Sequence, residues 1–214
     1  MPSPPPFIID AGPALNFLAS GHQGILINAV GRQPVHAPQT VEDEVLRKSA
    51  RVSKFKGAAG RWRNMQPNWL RLLSDDSADP ALRAASYTLL NTPLDLRQDD
   101  GDDLGETMVV LHAYARASAG ENVVVIIDDR KGRDFASTAR TRIDRLRQAD
   151  PSVGRIFLTS TTDLVRQRLN TTDIPDKDAL RQVWADITKM DDGLPNEVPI
   201  ELLESDHWVR PSRP

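Results

Sequence analysis

The sequence predicts a three-layer α/β/α domain around a mostly parallel sheet, and three observations carry that expectation. Short apolar runs, "FIID" (7–10), "PVHAP" (34–38), "NVVVII" (122–127) and "GRIFLTS" (154–160), are too brief for helices and are bounded by Pro, Gly, Asp or Ser. Between them lie segments with apolar residues at helical spacing. Strands that alternate with helices in this way form parallel sheets covered on both faces.

Taken in order, "FIID" is a buried first strand. Pro13 opens a helix at a position where its missing N–H is tolerated, and "PALNFLAS" carries that helix to Gly21. "GILINAV" gives a second short helix ending at Gly31. "PVHAP" is a brief strand between prolines, and "TVEDEVLRKSARV" is a helix with Gln39 or Thr40 near its cap. Helices are expected at 62–73 and 80–90. The strongest begins near Asp103 and runs through "ETMVVLHAYARASAG" to Gly120. "NVVVII" is the central strand, "GRDFASTARTRIDRLRQA" a helix, and "GRIFLTS" a further strand. A helix after Thr161 and another at 178–190 precede a polar, proline-spaced tail.

Composition narrows the chemistry. The chain has 214 residues, 39% hydrophobic and 27% charged, which is ordinary for a soluble globular protein long enough for one sizeable core. No stretch approaches the roughly 18–20 apolar residues of a membrane span. "MPSPPPFIIDAG" lacks the basic and long apolar regions of a secretory signal, so the cytoplasm is the expected compartment. With no cysteine and four scattered histidines, any bound metal needs oxygen ligands. The net charge of -3 gives no sign of a nucleic-acid partner, but the charges are unevenly spread. Acids gather at 95–106, and cations at 47–63 and 130–147; such runs are solvated helix faces or flanks for a phosphate backbone.

The most informative stretch is "VVVIIDDRKGR" (123–133), in which five β-branched residues lead into Asp128 and Asp129 and then into cations. Asp10 likewise ends the first strand. Ligands of parallel α/β sheets bind outside the carboxyl ends of the strands, so neighbouring strands would bring these carboxylates together. Repulsion near a core costs on the order of several kcal/mol unless a cation offsets it, and a divalent metal is the simplest solution. Glu44, flanked by Val41 and Val45, and Glu106, at the start of the longest apolar helix, fit the same place.

With these acids in this order the chain resembles the PIN-domain nucleases, best known from VapC-type toxins of toxin-antitoxin pairs. The likeness is carried by "FIIDAGPALNFLASG", "PVHAPQTVEDEV", "DLGETMVVLHAYA" and "VVVIIDDRKGRDFA". By position, it places the family's acids at Asp10, Glu44, Glu106 and within the pair Asp128 and Asp129; the register favours Asp129 as ligand, with Asp128 supporting or sharing the role. It implies a PIN-like domain over 1–170 with a helical insertion at 55–100, and leaves 171–214 as a helical extension and tail. It further implies metal-dependent endoribonucleolysis with an RNA substrate, and an antitoxin or a second copy of the chain as partner. "DAGP" departs from the family in lacking the hydroxyl residue that many members carry beside the first aspartate.

Each residue also has a plainer reading. Asp103 and Glu106 have capping-box spacing, and Glu44 can pair with Lys48 at i,i+4. Arg130, Lys131 and Arg133 either neutralise the doubled aspartate or contact substrate phosphate. His112 reads as a packed core residue, and Trp62 and Trp69 as core or interface anchors before base-stacking platforms. Arg61 and Arg63 are expected to touch RNA, antitoxin or a second copy. Carboxylate ligands select Mg2+ or Mn2+, which would activate a water for attack on phosphorus. The rival classes are a catalytically inactive PIN fold that binds RNA or protein, and a magnesium-dependent phosphotransfer domain. The latter would carry its acidic pair after the first strand and a lysine after a late strand, where "IFLTS" has none.

Overall fold

Five parallel strands form the centre of the molecule. The computed structural model describes residues 4–99, 103–191 and 193–208, so Asp100 and Asp102 of the acidic stretch and the last six residues lie outside the described residues. The strands are β1 (Phe7–Ile9), β2 (Val35–Pro38), β3 (Leu70–Leu73), β4 (Val123–Ile126) and β5 (Ile156–Thr159). The helices are α1 (Ala11–Ser20), α2 (Gln23–Ala29), α3 (Gln39–Arg51), α4 (Ala58–Met65), α5 (Pro80–Leu90), α6 (Leu94–Asp99), α7 (Leu104–Ser118), α8 (Arg130–Ala149), α9 (Thr161–Arg166), α10 (Lys177–Thr188) and α11 (Ile200–Leu203). The expected α/β class with helices flanking a parallel sheet is the one observed.

Strand order is β3-β2-β1-β4-β5, which places β1 in the middle and β4 beside it. Ile9 pairs with Ile126, and the Asp10 amide donates to the Ile126 carbonyl at 3.0 Å. The chain fills the sheet from β1 outward through β2 to β3, then crosses to β4 on the other side of β1. Strand order therefore reverses between β1 and β4, where the loops leaving adjacent strands part and open a crevice. Asp10 and the doubled aspartate follow those two strands.

Burial explains why the β1 and β4 runs are strands. Ile8, Ile9, Val123, Val125, Ile126 and Ile127 are all buried, as suits a sheet covered on both faces. Helix α7 crosses this sheet, touching β1, β2, β4 and β5, and Met108 through Ala113 are buried along it.

One local reading is corrected. Residues 62–73 are not one helix: α4 stops at Met65, and Leu70–Leu73 is an edge strand whose Leu70 pairs with Val35 and whose Leu73 pairs with Pro38. The 55–100 segment thus completes the sheet as well as adding helices. Neither Gln39 nor Thr40 caps α3 with its side chain. Asp75, just past β3, accepts from the Thr40 amide at 2.8 Å and meets His112 Nε2 at 2.8 Å, tying α3 to α7. Arg61 is used inside the molecule, donating to the Leu18 carbonyl at 2.8 Å at the end of α1.

Trp62 and Trp69 both serve the structure. Trp62 is buried and donates to Glu42 Oε1 at 2.9 Å, and Trp69 packs beneath the Arg32 guanidinium. His112 is buried beside Asp75, as a packed core residue should be. Among the described residues, no helix is long and apolar enough to cross a membrane.

Candidate functional site

A cleft of about 1000 Å³ opens at the carboxyl ends of the strands, and Asp10, Glu44, Glu106, Asp128 and Asp129 all line it. Asp10 enters it because β1 ends at Ile9 and α1 begins at Ala11, leaving Asp10 as the helix N-cap. Its Oδ2 accepts from the Gly12 amide at 3.4 Å. Its Oδ1 is buried and has no hydrogen-bond partner, although Asp10 is only 5% exposed. A buried carboxylate oxygen without a donor is costly, and a cation is what would offset it.

Glu44 and Glu106 line the cleft from two helices. Glu44 sits one turn into α3, with Val41 and Val45 buried on either side. Its Oε1 pairs with Lys48 Nζ at 2.6 Å, so the plain i,i+4 reading is realised. Its other oxygen is turned toward α7, where a methyl added to Gly105 would stand 2.9 Å from Glu44 Oε2 and 3.9 Å from Asp10 Oδ1. Glycine at 105 leaves room for both carboxylates. The Asp103–Glu106 capping box does not form: Asp103 takes a left-handed conformation and makes no side-chain cap bond. Glu106 instead lies against the start of α8, where a methyl on Gly132 would be 3.0 Å from its Oε2.

The doubled aspartate divides its work. Asp128 Oδ1 accepts from the Thr161 amide at 2.7 Å, and Oδ2 from the Thr161 hydroxyl at 2.5 Å and the Asn16 amide at 3.3 Å. It therefore fixes the end of β4 to the start of α9. Asp129 caps α8, accepting from the Gly132 amide at 3.0 Å through Oδ2, and is exposed to the cleft.

Electrostatics follow from that crowding. Burial, with added repulsion from Glu44 and Asp128, pushes Asp10 up to about 7 despite the lowering pull of the Ala11 and Gly12 amides. Burial and the charges of Asp10, Asp129, Asp103 and Glu44 push Glu106 up to about 7. Burial, and then the charge of Asp191, raises Asp128, while Thr161 and Arg133 pull it down.

The predicted cations separate. Arg130 lines the cleft, Lys131 is exposed outside its lining, and Arg133 turns inward to donate to the Ile127 carbonyl at 3.1 Å. Arg47 and Lys48 also line the cleft, and only their place in a basic run marked them in the sequence. Asp191, Gly193 and Leu194 form a further wall that no sequence motif announced.

No known protein family, curated protein or solved structure matches the chain. Among the described residues, no three of His, Asp and Glu close to metal-ligating distance. The carboxylates line one cleft and repel one another within it. Their donor set, all hard oxygen with one buried oxygen lacking a partner, has the chemistry of a hard divalent cation's ligands.

Proposed function

We propose that this chain is a PIN-type, metal-dependent endoribonuclease that hydrolyses RNA phosphodiester bonds in the cleft. The unpartnered, buried Asp10 Oδ1 at the end of the middle strand, in a cleft also lined by Glu44, Glu106 and Asp129, carries the reading. Asp10, Glu44, Glu106 and Asp129 would hold Mg2+ or Mn2+, with Asp128 positioning the β4 end through Thr161. A bound divalent cation supplies a water of lowered pKa and charge stabilisation at phosphorus.

The chain's own residues do the rest. Arg47, Lys48 and Arg130, on the cleft wall, hold backbone phosphate above the acids. Without a cation, burial and the neighbouring acids push Glu106 up to about 7, and a bound divalent cation would offset that repulsion and hold it as a carboxylate ligand. A toxin-like role in the cytoplasm, with an antitoxin or a second copy of the chain as partner, belongs to the same proposal.

The direct test incubates purified protein with structured RNAs in Mn2+, Mg2+ or EDTA. Cleavage dependent on Mn2+ or Mg2+ is expected from the wild type and not from an acid-site variant. Cleavage that persists equally in EDTA would overturn the metal reading, and none above the variant would favour a non-catalytic binding fold.

Gly105→Ala probes the meeting of α3 and α7 without removing a charge. The added methyl would crowd the movable end of Glu44 at 2.9 Å and make ordinary contact with Val41 and Asp10, and alanine favours a helix over glycine by up to about 1 kcal/mol. The melting temperature should hold or rise while cleavage falls roughly ten-fold, because a displaced ligand is of the kind whose supporting contacts cost 10–100-fold. Full activity would place Glu44 outside the chemistry.

A further inference from the structure

Helix α10 packs on α1, and beyond it the chain turns back toward the acid cleft. Trp184, fully buried, donates through Nε1 to the Pro195 carbonyl at 3.0 Å and pins that return. Asp191 is fixed at two points: its Oδ1 accepts from the Gly193 amide at 2.7 Å, and its Oδ2 from Asn16 Nδ2 at 2.5 Å. The same Asn16 nitrogen reaches Asp128 Oδ2 at 3.3 Å. Asn16 is 2% exposed on an otherwise apolar stretch of α1, so its amide is committed to joining these two carboxylates.

A neutral amide can orient two carboxylates but cannot cancel their charge. Asp128 spends both oxygens on Thr161 and Asn16, and the cleft beyond still holds the unpartnered Asp10 Oδ1. A carboxylate held on the wall of that cleft adds negative charge toward any cation that enters it.

We infer that Asp191 is a further carboxylate of the acid centre, placed by Asn16 to strengthen divalent-cation binding, so that the turn after α10 is a working wall of the site. Asp191 acts through space and through Asn16, and is a positioning residue. The inference rests on the metal reading proposed above. It also explains why Asn16, a polar residue, is kept inside an apolar helix.

Asp191→Asn removes the charge and keeps one oxygen, which can accept from Asn16 or from the Gly193 amide; Asp191→Ala removes the charge and both acceptors. Mn2+ binding is measured on the full chain by titration calorimetry, with thermal melts in EDTA alongside. Asp191→Asn should bind Mn2+ roughly ten-fold more weakly, the scale of one unit charge several ångströms away at a partly screened site, with its EDTA melt unchanged or raised. Asp191→Glu should recover part of the affinity. If Asp191→Asn binds Mn2+ like the wild type while Asp191→Ala melts lower, Asp191 is a structural tie and the inference is overturned. Wild type that binds no Mn2+ overturns the metal reading and this inference together. Wild type that binds and cleaves, with Asp191→Asn unaffected, overturns this inference alone.

Discussion

Asp10→Asn should abolish Mn2+-dependent RNA cleavage and leave the metal-free protein melting at the wild-type temperature or above it. Two consequences of one substitution have opposite signs because Asp10 has two jobs. As N-cap of α1 it needs only an acceptor for the Gly12 amide, and asparagine caps as well as aspartate. As a carboxylate it repels Glu44 and Asp128 from a buried position, so losing the charge should raise metal-free stability by on the order of 1 kcal/mol. Cleavage should fall at least about a hundred-fold, the upper end of what losing even an outer partner of a metal ligand costs. If wild type binds Mn2+ as proposed, at a hundred times the dissociation constant it would gain about 2.7 kcal/mol by mass action, and the variant should lose most of that gain. Asp129→Asn should behave alike, since asparagine still accepts from the Gly132 amide to cap α8. Melts with and without Mn2+ beside a cleavage assay decide the matter. An identical Mn2+ shift in wild type and both variants would put the metal elsewhere and leave the doubled aspartate a structural meaning.

Much of this site was readable in the sequence because its residues adjoin strong hydrophobic runs. Asp10 follows "FII" and the aspartate pair follows "VVVII", and a buried parallel strand delivers whatever comes next to one end of the sheet. Where the sequence misled, long-range contacts overrode local pattern. Leu70–Leu73, with leucine and arginine in good helix-forming order, is a strand because its backbone pairs with β2 along Val35 to Pro38. Asp103 and Glu106 have the capping-box spacing, but the left-handed conformation of Asp103 breaks the geometry such a box needs.

The distant contributors were hidden for a different reason. Asp191 meets Asn16 across 175 residues of chain, and Asp75 meets His112 across 37, so no local window holds either pair. One half of each pair did leave a trace. Asn16 and His112 are polar residues inside apolar helical runs, and a buried polar side chain requires a partner from elsewhere. Following that requirement from Asn16 leads to the C-terminal wall of the cleft, which composition alone marks only as a polar tail. The metal question divides in the same way: sequence order brings acids to one end of the sheet, and their spacing within the cleft depends on Lys48, Thr161 and the Gly132 amide.

Metal-free protein should lose stability as pH rises from 5 to 7.5, and Mn2+ should reverse that trend. In the folded chain Asp10 rises from 3.8 to about 7 and Glu106 from 4.5 to about 7, so between those limits the native state holds protons that the unfolded chain has released. Stability is therefore full below the ordinary carboxylate range and is lost as pH climbs through about 7. Asp128, also raised, acts in the same direction. His36 opposes it: burial and Arg116 lower its pKa, so it favours the folded state as pH rises through the ordinary histidine range. Glu106 is half-exposed and solvent-screened, and the repulsion is shared among the acids, so the net loss should be on the order of 2 kcal/mol. A divalent cation needs the same carboxyls deprotonated, so its affinity increases over the window in which the metal-free protein weakens. Melts at half-unit steps of pH, in EDTA and in Mn2+, should give two curves that separate upward from pH 5. Asp10→Asn should flatten the EDTA curve relative to wild type, with His36 common to both. If wild type and Asp10→Asn share one EDTA slope, the buried acid is not the group that titrates.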